Sequence, residues 1–134
     1  MSLTPYIAVT DARAALDWYV AHLGARVTFD PIVMPDGRVG HSELTVSNAH
    51  GDARWMMADE HPEIQVEAPA PGRGNDVTLH LEVDDVDGVV EAMVGGGAVL
   101  DRGPEDNPVG RVAVVRDPFG HRWFLNQPAA ARTP

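Results

Sequence analysis

The feature that most constrains this chain is an internal repeat. VTDARAALDWYVAHLGARV (Val9 to Val27) and VDDVDGVVEAMVGGGAVL (Val83 to Leu100) share one layout: a Val ending a strand, an Asp two residues on, an amphipathic stretch, then Gly-Ala and another strand. Asp11 and Asp85 are separated by almost the same length of chain as Gly24 and Gly97, and that length exceeds half of the 134 residues. A period this long describes a duplicated half-domain and excludes a short solenoid repeat. Each copy must therefore build a similar hydrophobic layer, and the fold must accommodate two of them.

Within the first copy Ala12, Ala15, Leu16, Tyr19, Val20 and Leu23 recur at helical spacing, with Asp11 placed to cap the start and Gly24 to stop the end. The second copy sets Val86, Val89, Val90, Met93 and Val94 on a similar stripe, capped by Asp84 or Asp85 and ended by the glycines at 95 to 97. Period-two alternation predicts strands in TPYIAV (4–9), HSELTVS (41–47), VTLHLEV (77–83) and RVAVV (111–115), with RWMMA (54–58) and HRWFL (121–125) as further strands. PDGR (35–38) and DPFG (117–120) are turn sequences. Each half thus reads as strand, helix and about three strands. The expected organisation is a single domain over 1–134, with half-modules at about 1–58 and 77–127 joined by the Pro- and Gly-rich segment 59–76. The class is α+β, a sheet covered by helices on one face and free on the other.

Bulk properties narrow the function. A hydrophobic content of 44% suits a globular chain. The absence of a long apolar run and of a basic-then-apolar N-terminal segment predicts neither a membrane span nor a signal peptide, and the expected address is cytoplasmic. With no cysteine there is neither a disulfide, nor a thiolate ligand, nor a cysteine nucleophile. A net charge of −10 opposes nucleic acid and anionic lipid, leaving a small molecule as the expected partner. No GxSxG is present, and the glycines at 95 to 97 follow a helix where a phosphate loop would precede one. Asp84, Asp85 and Asp87 crowd a helix start, where they complement its dipole.

The segments PYIAVTDARAALDWYVAHLGA, ADEHPE, LHLEVDDVD and RDPFGHRWFL carry a resemblance. In order and over nearly the whole chain they resemble the vicinal oxygen chelate superfamily of glyoxalase I, bleomycin-resistance proteins and extradiol dioxygenases, and within it the PhnB-type branch. The resemblance implies duplicated βαβββ modules forming a curled sheet around a cavity, and a homodimer. It also implies, for metal-dependent members, one His or Glu on each of four strands. Carried over by local motif, those four positions fall on Thr4, Met56, Thr78 and Phe124, none of which is a normal ligand for a divalent first-row metal.

Strand parity places further candidates. Thr78, His80 and Glu82 share one face of their strand, and His41, Glu43 and Thr45 share one face of theirs. Tyr6, Arg54, Met56, Thr78, His80, Arg122 and Phe124 are the expected ligand-binding residues, with Tyr6, Phe124 and Trp55 available to stack on a flat ligand. Arg54 and Arg122 favour an anionic or carboxylated ligand. The expected function is a metal-free small-molecule-binding protein that sequesters an antibiotic or metabolite and carries no cofactor. The alternative is a metal-dependent lyase, isomerase or dioxygenase, with zinc, nickel or iron on a displaced site of His41, Glu43 and His80. His22, His50, His61 and His121 fall in helix, loop and turn contexts and are read as solvated.

Overall fold

The computed structural model describes residues 1–129. Two compact units divide between Pro71 and Gly72, inside the segment read as a linker. The first contains β1 (Tyr6–Val9), α1 (Ala12–Leu23), β2 (Arg26–Val33), β3 (Val39–Asn48) and β4 (Gly51–Asp59), followed by a single 3-10 turn at Pro62–Ile64. The second contains β5 (Thr78–Glu82), α2 (Val86–Gly95), β6 (Val99–Asn107), β7 (Gly110–Arg116) and β8 (Arg122–Pro128). Their four-stranded sheets have the same order, β1-β4-β3-β2 and β5-β8-β7-β6. In each, the first and last strands of the module pair in parallel and the other pairings are antiparallel. The repeat in the sequence is thus a repeat of βαβββ topology, and the α+β expectation holds.

The helices begin and end where local chemistry directs. The Asp11 carboxylate accepts a hydrogen bond from the Ala14 N–H at 3.1 Å, and Gly24 ends α1 in the left-handed conformation at φ 75°. Asp85, of the two aspartates available, caps α2 by accepting from the Gly88 N–H at 3.2 Å. Buried on α1 are Ala12, Ala15, Leu16, Tyr19 and Leu23, and on α2 Val86, Val90 and Met93. Val20 and Val94, expected on these stripes, are exposed. Each is eight residues after the first helical position, which turns it about 80° from that residue, onto the edge of the buried stripe.

One face of each sheet meets its helix. In the first unit Val9, Leu44, Trp55 and Met57 are buried, and the Tyr19 ring meets Trp55 edge-on at 5.4 Å. Trp55 therefore packs toward the helix and is not a stacking residue of the opposite face, correcting that expectation. In the second unit Leu81, Ala113, Val115, Trp123 and Leu125 are buried in the same way.

The edge strands β2 and β6 each contain a proline, Pro31 and Pro104, and each pairing shifts register there, between Phe29 and Ile32 and between Arg102 and Glu105. A proline has no N–H to give to a ladder, and an edge strand needs one neighbour only. At the second bulge Gly103 has φ 77°, and a Cβ there would lie 2.5 Å from the Val112 carbonyl oxygen, so no larger residue fits.

Candidate functional site

The face of each sheet away from its helix carries the candidate residues. Cross-strand register lines them into rows. In the first unit Tyr6 pairs with Met56, Met56 with Glu43 and Glu43 with Phe29, a row that crosses all four strands. The corresponding row of the second unit is His80, Phe124, Val114 and Arg102. One step along lie Arg54, Thr45 and Arg26 in the first unit, and Thr78, Arg122 and Arg116 in the second. Tyr6 and His80 thus hold the same place in the two modules, as do Met56 and Phe124, and Arg54 and Arg122.

The first face is polar and internally bonded. The Tyr6 hydroxyl lies 2.8 Å from His41 Nδ1 and 3.0 Å from the Gly40 carbonyl oxygen. His41 Nε2 lies 2.9 Å from Glu43 Oε2, and Arg54 Nη1 donates to Glu43 Oε1 at 3.2 Å. The rings of Tyr6 and Phe29 approach His41 at 5.4 and 5.2 Å. Phe29 was not among the candidates read from the sequence. It lies on the shifted edge strand, where alternation is broken and parity carries no information. Partial burial, and then the Glu43 carboxylate, push the Tyr6 phenol above its ordinary value of 10.0, because both disfavour a second negative charge there.

The second face is sparser. The His80 and Phe124 rings stack at 5.4 Å with planes 16° apart. Arg122 Nη1 donates to the Thr78 hydroxyl at 2.7 Å. Val112 and Val114 are buried beside them.

These rows test whether the side chains suit a metal. The row positions on β4 and β8 hold Met56 and Phe124, a soft thioether and a hydrocarbon, and Thr78 is one step removed from the row of Phe124. Thr4 precedes β1 altogether. His41 and Glu43 are hydrogen-bonded to each other, and the His80 ring stacks on Phe124. Among the described residues no group of three or more His, Cys, Asp or Glu side chains could hold a metal ion.

Three side chains that position these faces escape sequence reading. The Asp59 carboxylate at the end of β4 accepts from the Ala12 N–H at 2.6 Å and from the Val39 N–H at 2.7 Å, joining the starts of α1 and β3. Gln127, on β8, accepts from the Val86 N–H at 3.1 Å and does the same for α2. Buried Asp117 accepts from the N–H groups of Phe119 and His121 and from Trp123 Nε1, at 2.9, 3.0 and 2.8 Å. That locks DPFG as a turn, leaves His121 just ahead of β8, and fixes the register in which Arg122 and Phe124 reach the open face. His61 lies 3.0 Å from Glu63 near the 3-10 turn, and the His22 ring lies 5.4 Å from Trp18.

The chain belongs to the glyoxalase/bleomycin resistance protein/dioxygenase superfamily, whose family model matches residues 3–125. It is 35% identical over 131 residues to an uncharacterized protein of Mycobacterium tuberculosis strain H37Rv, covering 95% of this chain and 74% of that protein. Among solved structures it resembles TioX from Micromonospora sp. ML1, with a TM-score of 0.66, 26% identity and coverage of 99% of this chain and 100% of that one. It also resembles TnmS3, an antibiotic binding protein from Streptomyces sp. CB03234, with a TM-score of 0.62, 27% identity and coverage of 96% and 98%. No helix among the described residues is long and apolar enough to cross a membrane.

Proposed function

We propose that this chain is a metal-free small-molecule-binding protein of the PhnB-type branch that sequesters an antibiotic or another small organic metabolite in the cytoplasm. The observation that carries this reading is the composition of the two open rows. Each combines two rings (Tyr6 and Phe29, or His80 and Phe124) and apolar filling (Met56 or Val114) with an arginine beside it, which is what a site binding by shape, stacking and a few polar contacts requires. The likeness to an antibiotic binding protein at 27% identity supports the same reading. A homodimer accompanies it. Val27, Ile32 and Val33 on the edge strand β2, with Met34 just beyond it, are all large apolar residues left exposed, a surface that a second copy would cover.

Two measurements test the proposal on protein purified without a polyhistidine tag. Metal analysis is expected to find no stoichiometric zinc, nickel or iron; stoichiometric metal that is lost in His41→Ala or His80→Ala would replace this reading with the metal-dependent lyase, isomerase or dioxygenase. A thermal-shift screen of organic compounds is expected to return binders. A ligand at a hundredfold excess over its dissociation constant stabilises the folded state by about 2.7 kcal/mol. A broad library with no hit would sink the proposal.

A further inference from the structure

The chain has no lysine, so all ten of its basic residues are arginines. Among the described residues four of them are half-buried: Arg38, Arg111, Arg116 and Arg122. Three of these four meet carboxylates, Arg38 with Glu63, Arg111 with Asp87 and Asp106, and Arg116 with Asp101. Arg122 is the exception. Among the described residues its side-chain partner is the neutral Thr78 hydroxyl, taken by one of its five N–H groups. It also stands directly across from Arg116, and like charges facing each other across strands repel.

A half-buried guanidinium in a chain with twice as many acidic as basic residues had ample choice of carboxylate partners. Left without one on an open sheet face, it is complementary to an anion supplied from outside. Its planar fork of donors matches a carboxylate by two parallel hydrogen bonds, a geometry an ammonium cannot offer. The next residue on the same face of β8 is Phe124, with the His80 ring stacked beside it. Residues two apart on a strand are separated by roughly 7 Å, so the Arg122 and Phe124 side chains rise from neighbouring places on one face.

We propose that the open face of the second sheet holds a planar aromatic carboxylate, its carboxylate on the Arg122 guanidinium and its ring against Phe124 and His80. This deepens the small-molecule reading above and rests on it. Thr78 acts as the positioning residue, holding one arm of Arg122 so that the other N–H groups face the ligand. The corresponding place in the first unit holds Arg54, whose charge is already met by Glu43, so the two open faces are not interchangeable and the carboxylate selects the second.

The test is isothermal titration of the untagged full chain with naphthoate, with naphthamide as a neutral analogue of the same shape, and with cyclohexanecarboxylate as the acid without an aromatic ring. Naphthoate is expected to bind at least about tenfold more tightly than either, as fits the loss of one charge-assisted pair or of the ring contact. Arg122→Gln is expected to bring naphthoate down to the level of naphthamide while leaving naphthamide unchanged. Arg122→Lys should recover part of the loss, and Phe124→Leu should weaken both aromatic probes. Arg13→Gln, on the exposed side of α1, controls for loss of charge alone, and unchanged circular dichroism establishes that each variant folds. Equal affinity for naphthoate and naphthamide, or full naphthoate affinity in Arg122→Gln, would overturn the assignment. If none of the three probes binds but neutral or cationic library compounds do, this inference fails and the binding function stands; if nothing binds at all, both fail.

Discussion

Tyr6 shows how much a single position carries. Its place on the open face follows from alternation in YIAV, but its environment comes from Gly40, His41 and Glu43, more than thirty residues away along the chain. Because the folded state raises the phenol's ionisation above 10.0, the neutral phenol is what folding favours. Stability associated with it is fully present below pH 10.0 and is lost as pH rises through the folded-state value. Ultraviolet difference titration of the Tyr6→Phe variant against the parent is expected to assign to Tyr6 a transition above 10.0, and Glu43→Gln should move that transition down by removing the nearby negative charge. A Tyr6 transition at or below its ordinary value would contradict the arrangement. Asp117 is a second such case. DPFG is legible as a turn from Pro and Gly alone, whereas the carboxylate's bond to the Trp123 indole depends on where the strand after the turn lies.

At the scale of elements, both helices and six strands follow from spacing and end signals. Asp11, Gly24 and Asp85 act within one turn of themselves, so their roles are local and readable. The observed strands differ from the expected ones chiefly in their ends: β1 begins at Tyr6 and not at Thr4, β3 runs from Val39 to Asn48, and β8 starts at Arg122 and continues to Pro128. Those ends are set by partners. The Asp59 carboxylate, for example, reaches both the first N–H of α1 and the first N–H of β3. Asp59→Ala leaves two part-buried donors unmet and is expected to cost about 2 to 4 kcal/mol in urea unfolding, with Asp59→Asn, which keeps one acceptor oxygen, in between. Gln127→Ala removes a single neutral hydrogen bond and is expected to cost about 1 kcal/mol. Equal costs for Asp59→Ala and Gln127→Ala would show that the double contact of Asp59 contributes nothing beyond a cap.

For the whole molecule, the exposed apolar residues of β2 make the oligomeric state measurable. Light scattering after size exclusion is expected to give twice the 14.4 kDa chain mass, and a Val27→Asp, Val33→Asp double variant is expected to elute as a folded monomer. A wild-type monomer at micromolar concentration would remove the dimer from the proposal. The duplicated topology was legible because a repeat of cap, stripe and glycine stop needs no knowledge of distant contacts, and strand parity then assigned Tyr6, Arg54, Met56, Thr78, His80, Arg122 and Phe124 to a common kind of face. Which of those residues stand side by side, that His41 and Glu43 bind each other, and that Arg122 alone of the half-buried arginines among the described residues meets no carboxylate were decided by cross-strand register. Periodicity is a property of a few consecutive backbone dihedrals, whereas register is a contact between segments separated by tens of residues, so local pattern leaves it open.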